Sequence, residues 1–419
     1  WFEREYVRLL WNRIGFADNP WLMRVEYMDN VPGSGGQAYV DEDAASNPWR
    51  ARITPFDGYM DVVVDHNMWP DLYDCYSKGL SPYACGSGLS KVRHAFMERD
   101  EAREDKYEAL YYPDSVPLHD ADGNEIIDEE NNEVVRAPVF EKFGYFRLDR
   151  LSYDRQYQLT ESNIDYKIIR FDIWENSYDA DGNLLPYAER TPAPIHYYLN
   201  HNFPEDLQEA AQEVAAEWNG VFKRTVASLQ GKSVDDPSIP DMYQLHVNNC
   251  TRSGIMQYLM DRPELLQTVR ETVFPDPADR LMPNGDKKTT GELLNADTYV
   301  NFCAATEYVT QNTDEPFTWQ QVGDPRINML VWIPNIIRAS WSGYGPMLAD
   351  PVTGRNVVSS AYLMGWTLNS RAQQATEYVE YINGDITLQD LLNGATVPNG
   401  YNSPEFTPLG SDSIENIDE

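Results

Sequence analysis

A chain of 419 residues with 33 Lys and Arg against 67 Asp and Glu carries a formal charge of −34. That field repels nucleic-acid phosphates and anionic lipid headgroups, which excludes general DNA, RNA or membrane-surface binding. The length corresponds to roughly two or three domains, and 42% hydrophobic and 12% aromatic residues are too many for a wholly disordered acidic protein.

In chain order, residues 1–190 read as a β-rich N-terminal domain. Pro32–Gly36 is a flexible loop that lacks the strand-before-helix context of a phosphate-binding fingerprint. Segments 52–66, 141–160 and 166–179 combine aromatic and β-branched residues with partial alternation, which suits half-buried pleated surfaces. Between them the acidic stretch 98–133 reads as a helix over 91–110 followed by a solvated excursion. Two Asp-x-Asp-Gly-Asn runs, Asp120–Asn124 and Asp179–Asn183, begin like calcium loops. Their sixth positions are Glu125 and Leu184 where glycine is wanted, and their twelfth are Asn131 and Arg190 where glutamate is wanted. They read instead as hairpin turns that use positive φ.

Thr191-Pro-Ala-Pro194 marks a boundary, and residues 191–385 change character. Residues 195–200 read as a buried strand. Asn202 is expected to cap a helix with Glu205 as its capping partner. Leu207, Ala210, Ala211, Val214, Ala215, Trp218, Val221 and Phe222 then recur at helical spacing, opposite a polar face that includes Glu209, Glu213 and Glu217. Turn-rich and helical pieces fill 231–320. Residues 326–334 form a strand, 341–346 a loop and 349–354 a tight turn. A further strand covers 356–363, and a helix over 367–382 carries Leu368, Ala372, Ala375, Val379 and Ile382 on one stripe, stopping at Asn383-Gly384. Residues 386–419 are expected to be an acidic, disordered tail.

No stretch reaches the roughly 18 apolar residues of a membrane span. The first residue is Trp1, with no basic-then-apolar leader, so the chain reads as a processed product or part of something longer. Cys75, Cys85, Cys250 and Cys303 allow three pairings. Nearest-neighbour bonds, Cys75–Cys85 and Cys250–Cys303, are expected, against the alternative of four reduced thiols. Disulfides imply an oxidising, exported location. No C-x-x-C occurs, and none of His66, His94, His119, His196, His201 and His246 has a second histidine four residues on. His196 and His201 bracket a strand end and a helix start and should point differently. No G-x-S-x-G elbow occurs, since Ser340 stands two residues before Ser342. These residues supply no self-sufficient catalytic centre.

Five segments in order carry a resemblance: Gly144–Arg155, Arg170–Trp174, Pro194–Leu207, Glu217-Trp-Asn219, and Gly343-Tyr-Gly-Pro346 with Asp350-Pro-Val-Thr-Gly354. Together they resemble the exported bacterial zinc-dependent metallopeptidases of the metzincin-like (zincin) type over roughly residues 140–385. The resemblance implies an α+β protein with a β-rich N-terminal domain followed by an incomplete zincin-like half-domain. It implies a periplasmic, outer-membrane-associated or extracellular location. Those enzymes carry H-E-x-x-H, whose histidines hold Zn²⁺ and whose glutamate is the general base. No His-Glu dipeptide occurs in this chain. The resemblance therefore implies no cofactor on this chain, with zinc on a C-terminal fragment of the same precursor or another polypeptide. The strand 356–363 would be the sheet edge on which a peptide or protein substrate lies by strand addition. Its binding residues would be Asn356, Val357, Val358, Ser359 and Ser360, beside Gly343, Tyr344 and Gly345, whose glycines permit close backbone approach. The alternative is a non-catalytic surface or assembly protein built on the same scaffold.

Overall fold

The computed structural model describes residues 25–27, 53–56, 58–70, 88–128, 130–139, 146–154, 158–334 and 342–393. The expected loop at Pro32–Gly36 and the expected bond Cys75–Cys85 lie outside them. Strands β1 (Val25–Tyr27), β2 (Ile53–Phe56), β3 (Tyr59–Pro70) and β4 (Gly88–Met97) form an antiparallel sheet in which β3 pairs with the other three. The β2–β3 turn uses Gly58 at φ +68°. The helix expected over 91–110 is not formed. Lys91–Met97 instead continues β4, in register with β3 from Gly88↔Met68 to Met97↔Tyr59. A ladder of that length outweighs a weak helical preference. Only Glu101–Glu104 turns helical (α1), capped by Asp100, whose Oδ1 accepts from the Arg103 N–H at 3.0 Å.

The solvated excursion expected after the 91–110 helix is made of nested hairpins whose residues are mostly exposed. β5 (Ser115–Pro117) pairs with β8 (Arg136–Pro138), and β6 (Ile127–Asp128) with β7 (Glu133–Val134). Both Asp-Gly-Asn runs are tight turns. Asp120 Oδ1 accepts from the Asp122 and Asn124 backbone N–H groups, Asp179 Oδ1 from those of Asp181 and Asn183, and Gly123 and Gly182 take φ +87° and +82°. A bulged hairpin follows, of β9 (Arg147–Asp154) and β10 (Gln158–Ile168).

The second half is built on a six-stranded mixed sheet. β11 (Ile195–Leu199) leads through a 3₁₀ turn, Glu205–Leu207, into α2 (Gln208–Gln230), which ends on Gly231 at φ +66°. The expected Asn202 cap is absent. Asn202 Oδ1 accepts from the Asn200 amide, while Asn200 Oδ1 accepts from the Trp332 N–H at 2.9 Å, so this corner is tied to the sheet rather than to the helix. After β12 (Tyr243–His246) come α3 (Arg252–Met260), α4 (Pro263–Val273), α5 (Thr290–Leu293) and α6 (Tyr299–Thr310). They bury Ile255, Leu259, Val269, Leu294 and Phe302 around a Cys250–Cys303 disulfide with a Cα separation of 5.9 Å, as expected.

β13 (Asn328–Ile333), β14 (Gly343–Tyr344), β15 (Met347–Ala349) and β16 (Asn356–Met364) complete the sheet. Its order is β12-β11-β13-β16-β14. The first four are mutually parallel, and β14 and β15 run antiparallel to β16. Leu199, Leu330, Trp332 and Leu363 share one face and pack with Phe203, Leu207 and Ala211 near the start of α2 and with Leu368 of α7 (Gly365–Asn383). Packing is continuous across the 190/191 boundary, since Trp174 is buried with Val226, Ala227, Ile239 and Met242. Gly384, at φ +82°, stops α7 as expected. The tail expected from residue 386 instead begins with a helix, α8 (Leu388–Asn393), opened by reciprocal Thr387–Asp390 hydrogen bonds. Among the described residues no helix is long and apolar enough to cross a membrane.

Candidate functional site: an edge of the mixed sheet

Among the described residues the sheet edge on the β16 side falls one strand away from where the sequence places it. β16 is interior, because Met329–Ile333 pairs with Ser360–Met364 on one side and Gly343–Ala349 covers the other. Its backbone is already committed. The Asn356 N–H donates to the Arg170 carbonyl at 2.8 Å, the Ser359 N–H to Asn328 Oδ1 at 2.8 Å and the Ser360 N–H to the Pro346 carbonyl at 3.0 Å. Val358 lies opposite Leu348, and Val357 continues the same strand. The backbone N–H groups of Asn356, Ser359 and Ser360 are therefore not the free ladder donors expected of them. A segment that reads as a Gly-Pro loop folds back antiparallel and takes the edge.

That segment behaves as one strand across its Gly-Pro break. Gly343↔Leu363, Tyr344↔Tyr362, Met347↔Ser359 and Leu348↔Val358 share one register, which shifts only at Ala349. The Ser342 and Pro346 carbonyls accept from the Met364 and Ser360 N–H groups at 3.0 Å each. Alternation along an antiparallel ladder then turns the N–H and C=O groups of Gly343, Gly345 and Met347 away from β16, to a side where no described strand pairs with them. Pro346, which has no N–H, falls at an inward position, so the outward row keeps all its donors.

The two faces of this edge differ. Tyr344 and Leu348 are 52% and 54% exposed on the face shared with Tyr362, with the two tyrosine rings 6.4 Å apart. Gly343, Gly345 and Met347 alternate onto the face that carries the helices. A Cβ on Gly343 would stand 3.0 Å from the Tyr362 carbonyl oxygen and 4.0 Å from Leu363 Cδ2. Two glycines thus keep the helix side of the edge low, and an incoming backbone can approach it closely.

The hairpin that joins β15 to β16 is held by the N-terminal half. Asp350 Oδ1 accepts from the Val352 and Thr353 N–H groups, and its Oδ2 meets Arg99 Nε at 2.6 Å. Burial opposes ionisation of Asp350, but Arg99 and these N–H donors prevail and hold its carboxyl below the usual carboxylate range. Glu104 of α1 is 3% exposed, accepts from Thr353 Oγ1 at 2.6 Å and pairs with Arg355 at 2.5 Å. The N-terminal residues therefore set the position of the edge through the Asp350–Gly354 turn.

The histidines sort as the sequence suggests, with one addition. His201 is turned toward Tyr299, Nδ1 to the hydroxyl at 2.7 Å, and burial lowers its pKa. His196 points away from it and meets His246 on β12, a partner 50 residues off that local spacing gives no means of finding. Among the described residues no three His, Cys, Asp or Glu side chains converge as a metal centre. A shallow depression of about 650 Å³, lined by Ala102, Lys106, Asn176 and Tyr178, lies beside α1 and contains no such constellation. No family model, curated protein or solved structure matches the chain.

Proposed function

We propose that this chain forms the substrate-groove wall of a zincin-type zinc metallopeptidase, with the zinc-binding residues supplied by a separate segment or polypeptide. The observation that carries the reading is the antiparallel edge Gly343–Ala349 on an otherwise parallel run of strands, which among the described residues is strand-paired only with β16. An extended peptide added there would exchange hydrogen bonds with Gly343, Gly345 and Met347. Its alternate side chains would meet the Tyr344 and Leu348 face or the low glycine face. This chain's part is to hold the scissile region extended and in register. The companion's zinc would polarise the peptide carbonyl and activate water.

Uncovered apolar surface supports a companion. Val214, Trp218 and Val221 of α2 are 54%, 49% and 43% exposed, and Val379 and Ile382 of α7 are 55% and 65% exposed. The stripes that the sequence pattern assigns to a core are thus only partly covered by the described residues, and side chains spaced this way along two helices suit a protein interface.

Peptide sequencing and zinc analysis of the native assembly test the reading. The expected result is a tightly held polypeptide with H-E-x-x-H and one zinc per assembly. In that assembly Met347→Pro, which removes an outward N–H, should raise KM for peptides about tenfold, the equivalent of roughly 1.4 kcal/mol, and leave kcat little changed. A self-contained, zinc-free native molecule would instead favour the non-catalytic scaffold.

A further inference from the structure

A different part of the sheet carries a second site, independent of the edge. His196 on β11 and His246 on β12 lie diagonally across a parallel pair, because His196 is opposite Gln244 and Tyr198 opposite His246. Side chains two apart in register share a face, so both imidazoles stand on one surface of the sheet. That surface is opposite the one packed by α2, where Tyr197 and Tyr243 stack with each other and Tyr243 with Phe222. His196 Nδ1 and His246 Nε2 are 3.0 Å apart, the rings are inclined by 26°, and the contact is solvent-exposed. The Tyr198 ring closes one side, its centroid 4.9 Å from that of His246.

We propose that His196 and His246 form a two-imidazole chelate for a borderline divalent transition metal, Cu²⁺ foremost and Ni²⁺ or Zn²⁺ more weakly. Imidazole nitrogens bind such ions at about 2.0–2.1 Å. Two of them at adjacent corners of a square are then about 2.9 Å apart, and at tetrahedral corners about 3.3 Å. The 3.0 Å separation falls between these values and nearer the square arrangement that Cu²⁺ and Ni²⁺ prefer. Both strands are paired into the sheet, so the two nitrogens are held together by a hydrogen bond that the metal replaces, and little ordering remains to be done. Binding requires each ring to carry its proton on the nitrogen turned away from the metal. Among the described residues no third His, Cys, Asp or Glu side chain joins the pair, which leaves the other coordination positions to water or to a donor from a bound molecule. The site is accordingly an exchange-labile one, unlike the closed four-ligand cages of structural zinc.

The test is a Cu²⁺ titration of the untagged full chain at pH 7.5 in a non-coordinating buffer, read by calorimetry and by nitrogen superhyperfine structure in the electron paramagnetic resonance spectrum. The expected result is one equivalent with two imidazole nitrogens. Its affinity should fall at least tenfold in His196→Ala and in His246→Ala, and be unchanged in the exposed control His119→Ala. His196→Gln and His246→Gln, which keep a polar side chain at each position, serve if either alanine variant loses its native circular dichroism. Unchanged stoichiometry and affinity in the His196 and His246 variants overturn the proposal, as does a spectrum without two-nitrogen coordination.

Discussion

Gly354 and Gly345 show how differently two glycines of one hairpin are constrained. Gly354 takes φ +76°, and a Cβ there would stand 2.6 Å from the Ile168 carbonyl oxygen and 2.9 Å from Lys167 Cβ. Backbone strain and overlap add, so Gly354→Ala should cost about 2–3 kcal/mol. At Gly345 the φ is ordinary and the nearest atom, the Ser360 carbonyl oxygen, is 3.8 Å from the built Cβ. Gly345→Ala should therefore change stability by no more than about 0.5 kcal/mol, while crowding the low face on which a peptide would lie. Urea denaturation of the two variants separates these effects, and equal losses would contradict the geometry. Gly354 is legible in the sequence as a turn residue and Gly345 as a loop residue that permits close backbone approach. That one is sterically obligatory is not, because the atoms it would strike belong to β10, nearly 190 residues earlier.

At the scale of elements, the chain's most consequential junction is α1 against the turn before β16. Glu104 is nearly inaccessible, and its Arg355 and Thr353 partners lie about 250 residues away in sequence. Glu104→Ala leaves the Arg355 guanidinium, 14% exposed, without its carboxylate and should cost about 3 kcal/mol. Amide exchange should accelerate first across 350–356, whereas uniform acceleration would point to a general loss of stability. The neighbouring Asp350 gives this junction a pH dependence of definite sign. Its folded-state pKa is depressed, so its contribution is complete above the ordinary aspartate value near 4. That contribution is lost as the pH falls through the lower folded value. Asp350→Asn should remove that acid limb from the exchange profile of 350–356. The helix expected over 91–110 failed for a related reason. Residues whose local pattern tolerates a helix are taken up by a partner strand, β3, that the local pattern does not reveal.

For the whole molecule, the Cys250–Cys303 bond ties β12's exit to α6 across 53 residues. Chain-entropy reasoning puts its contribution at about 4 kcal/mol. Cys303→Ala should lower the unfolding free energy by that order in a denaturant titration, with the α3–α6 cluster loosening first. An unchanged midpoint would show that the helical cluster stands without the bond. The amphipathic α2, the strands β11, β13 and β16, the α7 stop at Gly384, the two Asp-Gly-Asn turns and this cysteine pairing were all legible in the sequence. Each rests on a short-range rule: a hydrophobic period, a positive-φ residue, or loop closure between neighbours. Tertiary structure alone decided which strand became the edge, that His196 meets His246, and that Glu104 and Arg99 grip the Asp350–Gly354 turn. The physical reason is that strand order and register are settled by long-range competition for ladder partners and buried faces. A residue's own neighbours in sequence do not encode who wins that competition.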